Sequence, residues 1–259
     1  MADVQSMFGP AAANYAASRV HANYEELARL VQLAGPKPTD RVLDVATGTG
    51  NTAFAFAPFV ADVIAYDLTP GMLEQVRIGA ADRGLTNVQP LLGDACAIPE
   101  TMSGFDIVVA RLAPHHFPSI DGFLAGCNHA LRTGGKLLVS DTATPDDPDL
   151  NRQIDEIETL RDPSHVHNLT YGEWRAGFER HGIDVLKVDE RADWAGEHGD
   201  RMDFDIWVQR INTPAANRPE LRRRFLEANP KLRAGLRIQL IGDKIAFGLP
   251  RITILGVKR

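Results

Sequence analysis

The chain has 259 residues, enough for one large α/β domain or two small ones, and its 44% hydrophobic and 24% charged content is typical of a globular protein. Its formal net charge of −6 argues against a nucleic-acid or acidic-membrane binder, because both need a basic surface. No apolar window approaches the roughly 18 residues of a membrane span, and the N-terminus lacks the apolar core of a signal peptide, so we expect a cytoplasmic protein.

Apolar runs of strand length alternate with helical patterns through the first 140 or so residues. Residues 11–34, before the first run, are predicted as a helix broken near Val20. The five predicted strands are RVLDVA (41–46), DVIAYD (62–67), VQPLLG (88–93), FDIVVA (105–110) and KLLVSD (136–141). Strands separated by helices favour right-handed βαβ units in a parallel sheet covered on both faces.

The rest of the chain predicts helices at 151–160 and 170–180, strands at 183–194 and 244–259, and a polar helical segment at 201–237. We therefore expect one domain, residues 1–259. Its predicted parts are an N-terminal helical cap (1–35), a cofactor-binding core (36–145), helical cap segments (146–182 and 200–237) and C-terminal strands (183–199 and 244–259).

A glycine-containing loop, VLDVATGTGN, follows the first strand and opens onto a helix. Gly48 and Gly50 permit a tight turn and a close approach of the backbone to a ligand. Asp67 ends the second strand, where a carboxylate can hold both hydroxyls of a ribose. This combination indicates an adenine nucleoside, and GTGNTA also fits the dinucleotide fingerprint of NAD-dependent dehydrogenases.

Several residues favour a nucleoside that carries an ammonium group over a dinucleotide. Asp44 lies four residues before Gly48, where a carboxylate would repel a pyrophosphate. Asp94, in the GDA that follows the third strand, is placed to accept from the adenine amino group. Leu68 and Met72 are placed to sandwich the adenine ring.

The motifs DVATGTGNTA, YDLTPGML, GDACAIP, FDIVVARLAPHHF and LRTGGKLLVSD, in this order, resemble the class I S-adenosylmethionine-dependent methyltransferases. The similarity covers roughly residues 10–190 and is strongest to the branch related to ubiquinone/menaquinone-biosynthesis methyltransferases. It implies an α/β fold with a Rossmann-like, doubly wound sheet of seven strands in the order 3-2-1-4-5-7-6, strand 7 antiparallel, with helical caps. It also implies methyl transfer from S-adenosyl-L-methionine to oxygen or carbon of a small-molecule acceptor. Ala46 departs from the family, in which many members have glycine.

Position by position, the resemblance assigns cofactor binding to a set of residues along these motifs: Asp44, Ala46, Gly48, Gly50, Asn51, Asp67, Leu68, Met72, Asp94, Ala95 and Arg111. Tyr15 and Arg19 resemble an N-terminal AxxYxxxR feature that closes over the cofactor in relatives.

The adjacent histidines of ARLAPHHFPS leave the fourth predicted strand beside the point where the strand order reverses. We predict catalytic roles for His115, His116 and Asp141, because methyl transfer to a hydroxyl or an acidic carbon benefits from a general base. The alternative is that this segment only forms a turn. His115, His165 and Tyr171 are predicted to contact the substrate.

No metal site is expected, because the two cysteines are far apart and His165 and His167 lack a third ligand. No nucleic-acid or membrane partner is expected either, and nothing indicates an oligomeric state. The functional alternatives are an enzyme of the same fold that binds the cofactor but catalyses hydrolysis, dehalogenation, elimination or rearrangement, and an accessory subunit without activity.

Overall fold

The computed structural model describes residues 23–191, 202–211 and 213–259. Its helices are α1 (Tyr24–Ala34), α2 (Asn51–Phe56), α3 (Pro70–Asp82), α4 (Ile120–Ala130), α5 (Pro148–Arg161), α6 (Tyr171–Arg180), α7 (Phe204–Arg210), α8 (Arg218–Leu226) and α9 (Pro230–Gly235), with 3₁₀ turns at Ala57–Phe59 and Pro114–His116. Its strands are β1 (Arg41–Val45), β2 (Asp62–Asp67), β3 (Val88–Leu92), β4 (Phe105–Arg111), β5 (Leu131–Thr142), β6 (Ile183–Arg191), β7 (Met202–Asp203), β8 (Gln239–Ile241), β9 (Lys244–Phe247) and β10 (Arg251–Lys258).

Seven strands form the main sheet in the order β3-β2-β1-β4-β5-β10-β6. β10 runs antiparallel to both of its neighbours, and the other pairs are parallel. With β10 as the seventh strand, this arrangement confirms the predicted order and the predicted antiparallel strand. The order reverses between β1 and β4, so the crevice at their carboxyl ends is where this fold binds ligands.

Successive residues of the central strands pack on opposite faces of this sheet. Leu43 and Val45 belong to a hydrophobic cluster with residues of α4 and α6. Val42 and Val109 belong to a second cluster with residues of α1 and α3. Helices therefore cover both faces, as the near-continuous apolar strands predicted.

The predicted C-terminal strand, 244–259, is two strands that belong to different sheets. Gly248, Leu249 and Pro250 separate β9 from β10, and Pro250 has no N–H with which to continue a ladder. β9 pairs with β7 and β8 in a small sheet, whereas β10 enters the main one. The predicted strand at 183–194 corresponds to β6, Ile183–Arg191, and residues 192–194 lie outside the described residues.

The predicted polar segment at 201–237 is not purely helical, because β7 begins it, and it buries a hydrophobic cluster of its own. Trp207 of α7 and Phe225 of α8 pack against Phe247 of β9, with ring centroids 5.0 and 4.7 Å away. Leu150 and Ile154 of α5 complete this third cluster. The aromatic packing holds the C-terminal ends of α5 and α7 over the crevice. Among the described residues, no helix is long and apolar enough to cross a membrane.

Candidate active site

A cavity of about 230 Å³ lies at the carboxyl ends of the central strands. We refer to the lining residues from the loop after β1, the end of β2 and the segment after β3 as the first half of the cavity. We refer to those from the turn after β4 and the ends of α5 and α7 as the second half. The first half contains the predicted cofactor motifs, and the second contains the histidine pair.

Asp67 fixes the glycine loop to the end of β2. Its Oδ2 accepts from the backbone N–H of Gly48 at 2.8 Å, and its Oδ1 accepts from the N–H of Thr69 at 2.8 Å. Burial raises the pKa of this carboxyl group. Gly48 has φ +56°, and a Cβ there would meet nothing within 4 Å. The loop therefore leaves open space beside a carboxylate, which is suitable for a ribose.

Ala46 lies on the cavity wall with φ 54°, in the left-handed region that glycine adopts without strain. The predicted departure from the family's glycine therefore carries a backbone cost in this chain. The sequence alone does not show this angle.

Asp44 does not line the cavity, contrary to the prediction that it faces the cofactor. It is buried beneath the glycine loop, where its Oδ2 accepts from the Thr47 hydroxyl at 2.5 Å and from the Ala53 N–H at 3.0 Å. Burial raises its pKa to about 7. In this structure the carboxylate shapes the loop and the start of α2.

Gly50 is also absent from the cavity wall. It is the N-cap of α2. A Cβ at this position would lie 2.7 Å from Cζ of Phe54. Its role here is close packing against α2. Asn51, at the start of that helix, does line the cavity.

The predicted adenine-binding residues all line the cavity: Leu68, Met72, Asp94 and Ala95. Gly93 joins them, and a Cβ on it would lie 2.0 Å from the Tyr66 hydroxyl. The sequence interpretation did not assign Gly93 a role, although it is part of the GDA motif. The cofactor roles of these residues stay predictions.

Arg111 also lines the cavity, and its guanidinium group is anchored away from solvent. Its Nη2 donates to Oε2 of Glu26 at 2.8 Å, and Arg251 Nη2 donates to Oε1 of the same carboxylate at 2.6 Å. Burial acts to raise the pKa of Glu26, but the two arginines lower it to about 2. This buried group joins α1 to β4 and β10.

Tight local geometry after β4 sets the position of the histidine pair. Leu112 has φ 53°, and its N–H donates to the Ser140 carbonyl of β5 at 2.9 Å. The chain therefore turns directly off the end of the strand. His115 and His116, in the 3₁₀ turn that follows, both line the cavity.

Asp141, predicted to be catalytic, lies behind His115 and not on the cavity wall, so its carboxylate contacts the imidazole and not the cavity. Its Oδ1 is 2.7 Å from His115 Nδ1, and its Oδ2 accepts from the His115 N–H at 2.8 Å. Burial acts to lower the pKa of His115, but Asp141, with help from Glu158 and Asp162, raises it above the ordinary value. The contact with Asp141 uses Nδ1, so Nε2 is the ring nitrogen that this carboxylate does not bind.

His116 has the opposite electrostatic character. Its Nδ1 lies 3.2 Å from the Ser164 carbonyl, and the two imidazole centroids are 4.1 Å apart. Burial and the neighbouring His115 lower the pKa of His116 to about 3. The adjacent histidines therefore divide into one that readily takes a proton and one that stays neutral.

His165 and Tyr171, predicted to contact the substrate, are absent from the cavity wall. His165 is buried, and its Nε2 lies 2.9 Å from Asp155 Oδ1. The other oxygen of Asp155 lies 2.6 Å from His167 Nδ1. Tyr171 begins α6 and packs against the core of the sheet. These residues position the loop after α5, whose Val166 N–H donates to the His115 carbonyl at 3.0 Å.

The sequence interpretation missed several cavity residues. They are Thr142 at the end of β5, Leu249 between β9 and β10, and five residues of the cap: Glu158, Arg161, Asp162, Arg210 and Ile211. Glu158 had a detectable signal, because it falls four residues after Ile154 and eight after Leu150 on the buried stripe of α5. A carboxylate in such a stripe is unusual. Tyr15 and Arg19 lie outside the described residues. Within the described part of the chain, no three His, Cys, Asp or Glu side chains form a cluster that could hold a metal ion.

Residues 42–135 match the family described as "Methyltransferase domain". The chain is 31% identical over 257 residues to the uncharacterized methyltransferase YcgJ of Bacillus subtilis (strain 168), covering 98% of this chain and 99% of that one. It is also 35% identical over 129 residues to the ubiquinone/menaquinone biosynthesis C-methyltransferase UbiE of Teredinibacter turnerae, covering 48% and 52%.

Crystal structures show the same relationship. That of YcgJ superposes with a TM-score of 0.83 at 30% identity, covering 91% of this chain and 99% of the other. A candidate methyltransferase from Bacillus halodurans C-125 gives 0.84 at 30% identity, covering 90% and 99%. The fold, with its cavity at the switch point, is that of a nucleoside-binding transferase. The chain belongs to the class I S-adenosylmethionine-dependent methyltransferases, which confirms the predicted family.

Proposed function

We propose that this enzyme binds S-adenosyl-L-methionine in the first half of the cavity and transfers its methyl group to oxygen or carbon of a small-molecule acceptor in the second half. The His115–Asp141 pair carries this proposal, because it places an oriented imidazole on the wall of the same cavity as the glycine loop. The bound sulfonium supplies an electrophilic methyl group and leaves as a neutral thioether.

The residues of the first half suit that cofactor. Asp67 lies on the wall beside a glycine at which a Cβ would enter open space. Leu68 and Met72 supply apolar walls for an adenine ring. Asp44 supports the cofactor site indirectly, because it bonds to Thr47 and Ala53 beneath the glycine loop.

His115 is the general base of the proposed reaction. Its Nδ1 is bonded to Asp141, so Nε2 takes the proton from the acceptor O–H or C–H. The acceptor's electron pair then forms the bond to the methyl carbon as the carbon–sulfur bond breaks. Asp141 is the positioning residue, because it fixes both the ring and the backbone of His115. His116 stays neutral and packs beside that ring.

The test has a binding part and a turnover part. Calorimetry with S-adenosylhomocysteine and with NAD compares the two nucleosides directly, and binding of NAD alone would exclude the proposal. Methyl-labelled S-adenosylmethionine, incubated with a metabolite panel, then reports transfer by mass. Turnover of an acceptor without transfer of the label would support the non-methylating alternative.

His115→Ala and His116→Ala, made separately, test the base. We expect the first to lower kcat by about 10²–10⁴-fold with cofactor affinity unchanged. Full activity of both variants would exclude a histidine base.

A further inference from the structure

Glu158 occupies an unusual position for a carboxylate. It lies near the C-terminal end of α5, and only 4% of its side chain is exposed. Its Oε2 has one long contact, 3.4 Å from Arg161 Nη1. Its Oε1 is buried and has no hydrogen-bond partner among the described residues.

Such an oxygen is costly in a folded protein. Leaving a buried acceptor unpaired forfeits its hydration without a compensating bond, and the penalty is larger for a charged group. Glu158 lines the second half of the cavity, where a bound molecule supplies a partner. The Thr142 hydroxyl, also on this wall, is likewise buried without a partner among the described residues.

The charges around Glu158 are mixed, so the unpaired oxygen selects the kind of partner. Glu158 and Asp162 both raise the pKa of His115, but Arg161 and Arg210 line the same cavity. Arg161 is held in place by Trp207. Its guanidinium group lies 4.5 Å from the Trp207 ring centroid, and its Nε donates to the Trp207 carbonyl at 3.4 Å.

Apolar side chains also line the cavity, among them Phe117, Ile211 and Leu249. A purely apolar acceptor would suit these side chains but would leave Oε1 of Glu158 unpaired. A molecule with an apolar body and a hydroxyl or amine satisfies both conditions.

We propose that Glu158 recognises the acceptor by accepting a hydrogen bond from its hydroxyl or amine group. The acceptor is thus a small molecule that carries a hydrogen-bond donor beside an apolar body. This inference rests on the proposed function, since it identifies the second half of the cavity as the acceptor site. Glu158 is a binding residue for this reaction and does not transfer the proton.

The test measures direct binding with four matched probes, phenol, anisole, benzylamine and benzoate, by ligand-observed NMR in the presence of S-adenosylhomocysteine. Phenol and anisole differ in the donor, and benzylamine and benzoate differ in charge. We expect phenol and benzylamine to bind about tenfold or more tightly than their counterparts, the discrimination typical of a hydrogen bond to a charged group.

Two variants assign the effect to the carboxylate. Glu158→Gln keeps the shape and removes the charge, and Glu158→Leu removes the acceptor atoms. We expect Glu158→Leu to lose the preference for both donor probes. Glu158→Gln, whose amide oxygen still accepts a hydrogen bond, should keep part of the preference for phenol and lose most of that for benzylamine. Both should keep the affinity for S-adenosylhomocysteine. Glu179→Gln, on the exposed surface of α6, is the matched control and should behave as wild type.

Three outcomes would overturn the proposal: equal binding of phenol and anisole, tightest binding of benzoate, or an unchanged preference in Glu158→Leu. Absence of binding by both donor probes would overturn it as well. Failure of S-adenosylhomocysteine to bind wild type would instead overturn the proposed function. Binding of S-adenosylhomocysteine and binding of the four probes are measured separately. Failure of the proposed function is therefore distinguishable from failure of the role proposed for Glu158.

Discussion

The Asp141 carboxylate binds His115 twice, at the ring Nδ1 at 2.7 Å and at the backbone N–H at 2.8 Å. The two contacts fix the imidazole and the turn that carries it with a single side chain at the end of β5. Since only 1% of the Asp141 side chain is exposed, water does not compete for either bond.

Asp141→Asn should lower the pKa of His115. Burial lowers this pKa, and the variant removes the Asp141 carboxylate that raises it. In wild type the pKa is raised on folding, so the stability gained from this pair is present below pH about 6.5 and is lost as pH rises through the folded-state pKa. The variant should lose this dependence of stability on pH, and its profile of activity against pH should shift to lower pH. A histidine NMR titration measures the change directly. Asp121→Asn, which removes an exposed carboxylate paired with His181, is the control. An unchanged titration of His115 in Asp141→Asn would contradict this account.

Gly48→Ala and Gly50→Ala should separate ligand binding from folding. Both glycines have positive φ, so both variants carry backbone strain of about 1–2 kcal/mol. A Cβ on Gly48 meets nothing, but it enters the cavity, so we expect cofactor affinity to fall by about tenfold or more. A Cβ on Gly50 collides with Phe54, so its main effect should be a lower free energy of unfolding. Calorimetry and urea unfolding measure the two quantities, and equal losses in both variants would be inconsistent with the loop geometry.

Ala46→Gly should leave the protein as stable as wild type or more stable by about 1 kcal/mol. Glycine relieves the strain of φ 54° but increases the entropy of the unfolded chain, and the first effect is the larger. Ala80→Gly, inside α3, is the control and should cost about 1 kcal/mol. Urea unfolding of the pair measures the difference. A loss at Ala46 as large as that at Ala80 would contradict the strain argument.

Glu26→Gln should destabilise the protein by about 3–5 kcal/mol, because it leaves the buried Arg111 and Arg251 without their carboxylate. The pKa of Glu26 is lowered on folding from 4.5 to about 2, so its contribution is present above pH 4.5 and is lost as pH falls through about 2. Denaturant unfolding at several acidic pH values should show this dependence in wild type and not in the variant. Glu25→Gln, exposed on the same helix, should change stability by less than about 0.5 kcal/mol. A loss in Glu26→Gln no larger than that in Glu25→Gln would be evidence against the network.

The sequence was sufficient for the parts of this protein that depend on local patterns. Apolar runs and glycine positions predicted β1 to β5, and five ordered motifs predicted the family and the strand order that the structure and the comparisons confirm. The C-terminal strand was predicted as one piece because Ile245, Phe247 and Ile252 are all apolar. The sequence does not show that the first two face a different cluster from the third.

Only the tertiary structure decided which charged groups meet. Glu26 and Arg111 are 85 residues apart in sequence, and His115 and Asp141 are 26 apart. The cap is a similar case, because aromatic packing of α7, α8 and β9 brings Glu158 to the cavity without any motif. Backbone propensity and periodicity act over a few residues and are readable in the sequence. The burial that sets a pKa, or leaves an oxygen of Glu158 unpaired, depends on segments that become neighbours only when the chain folds.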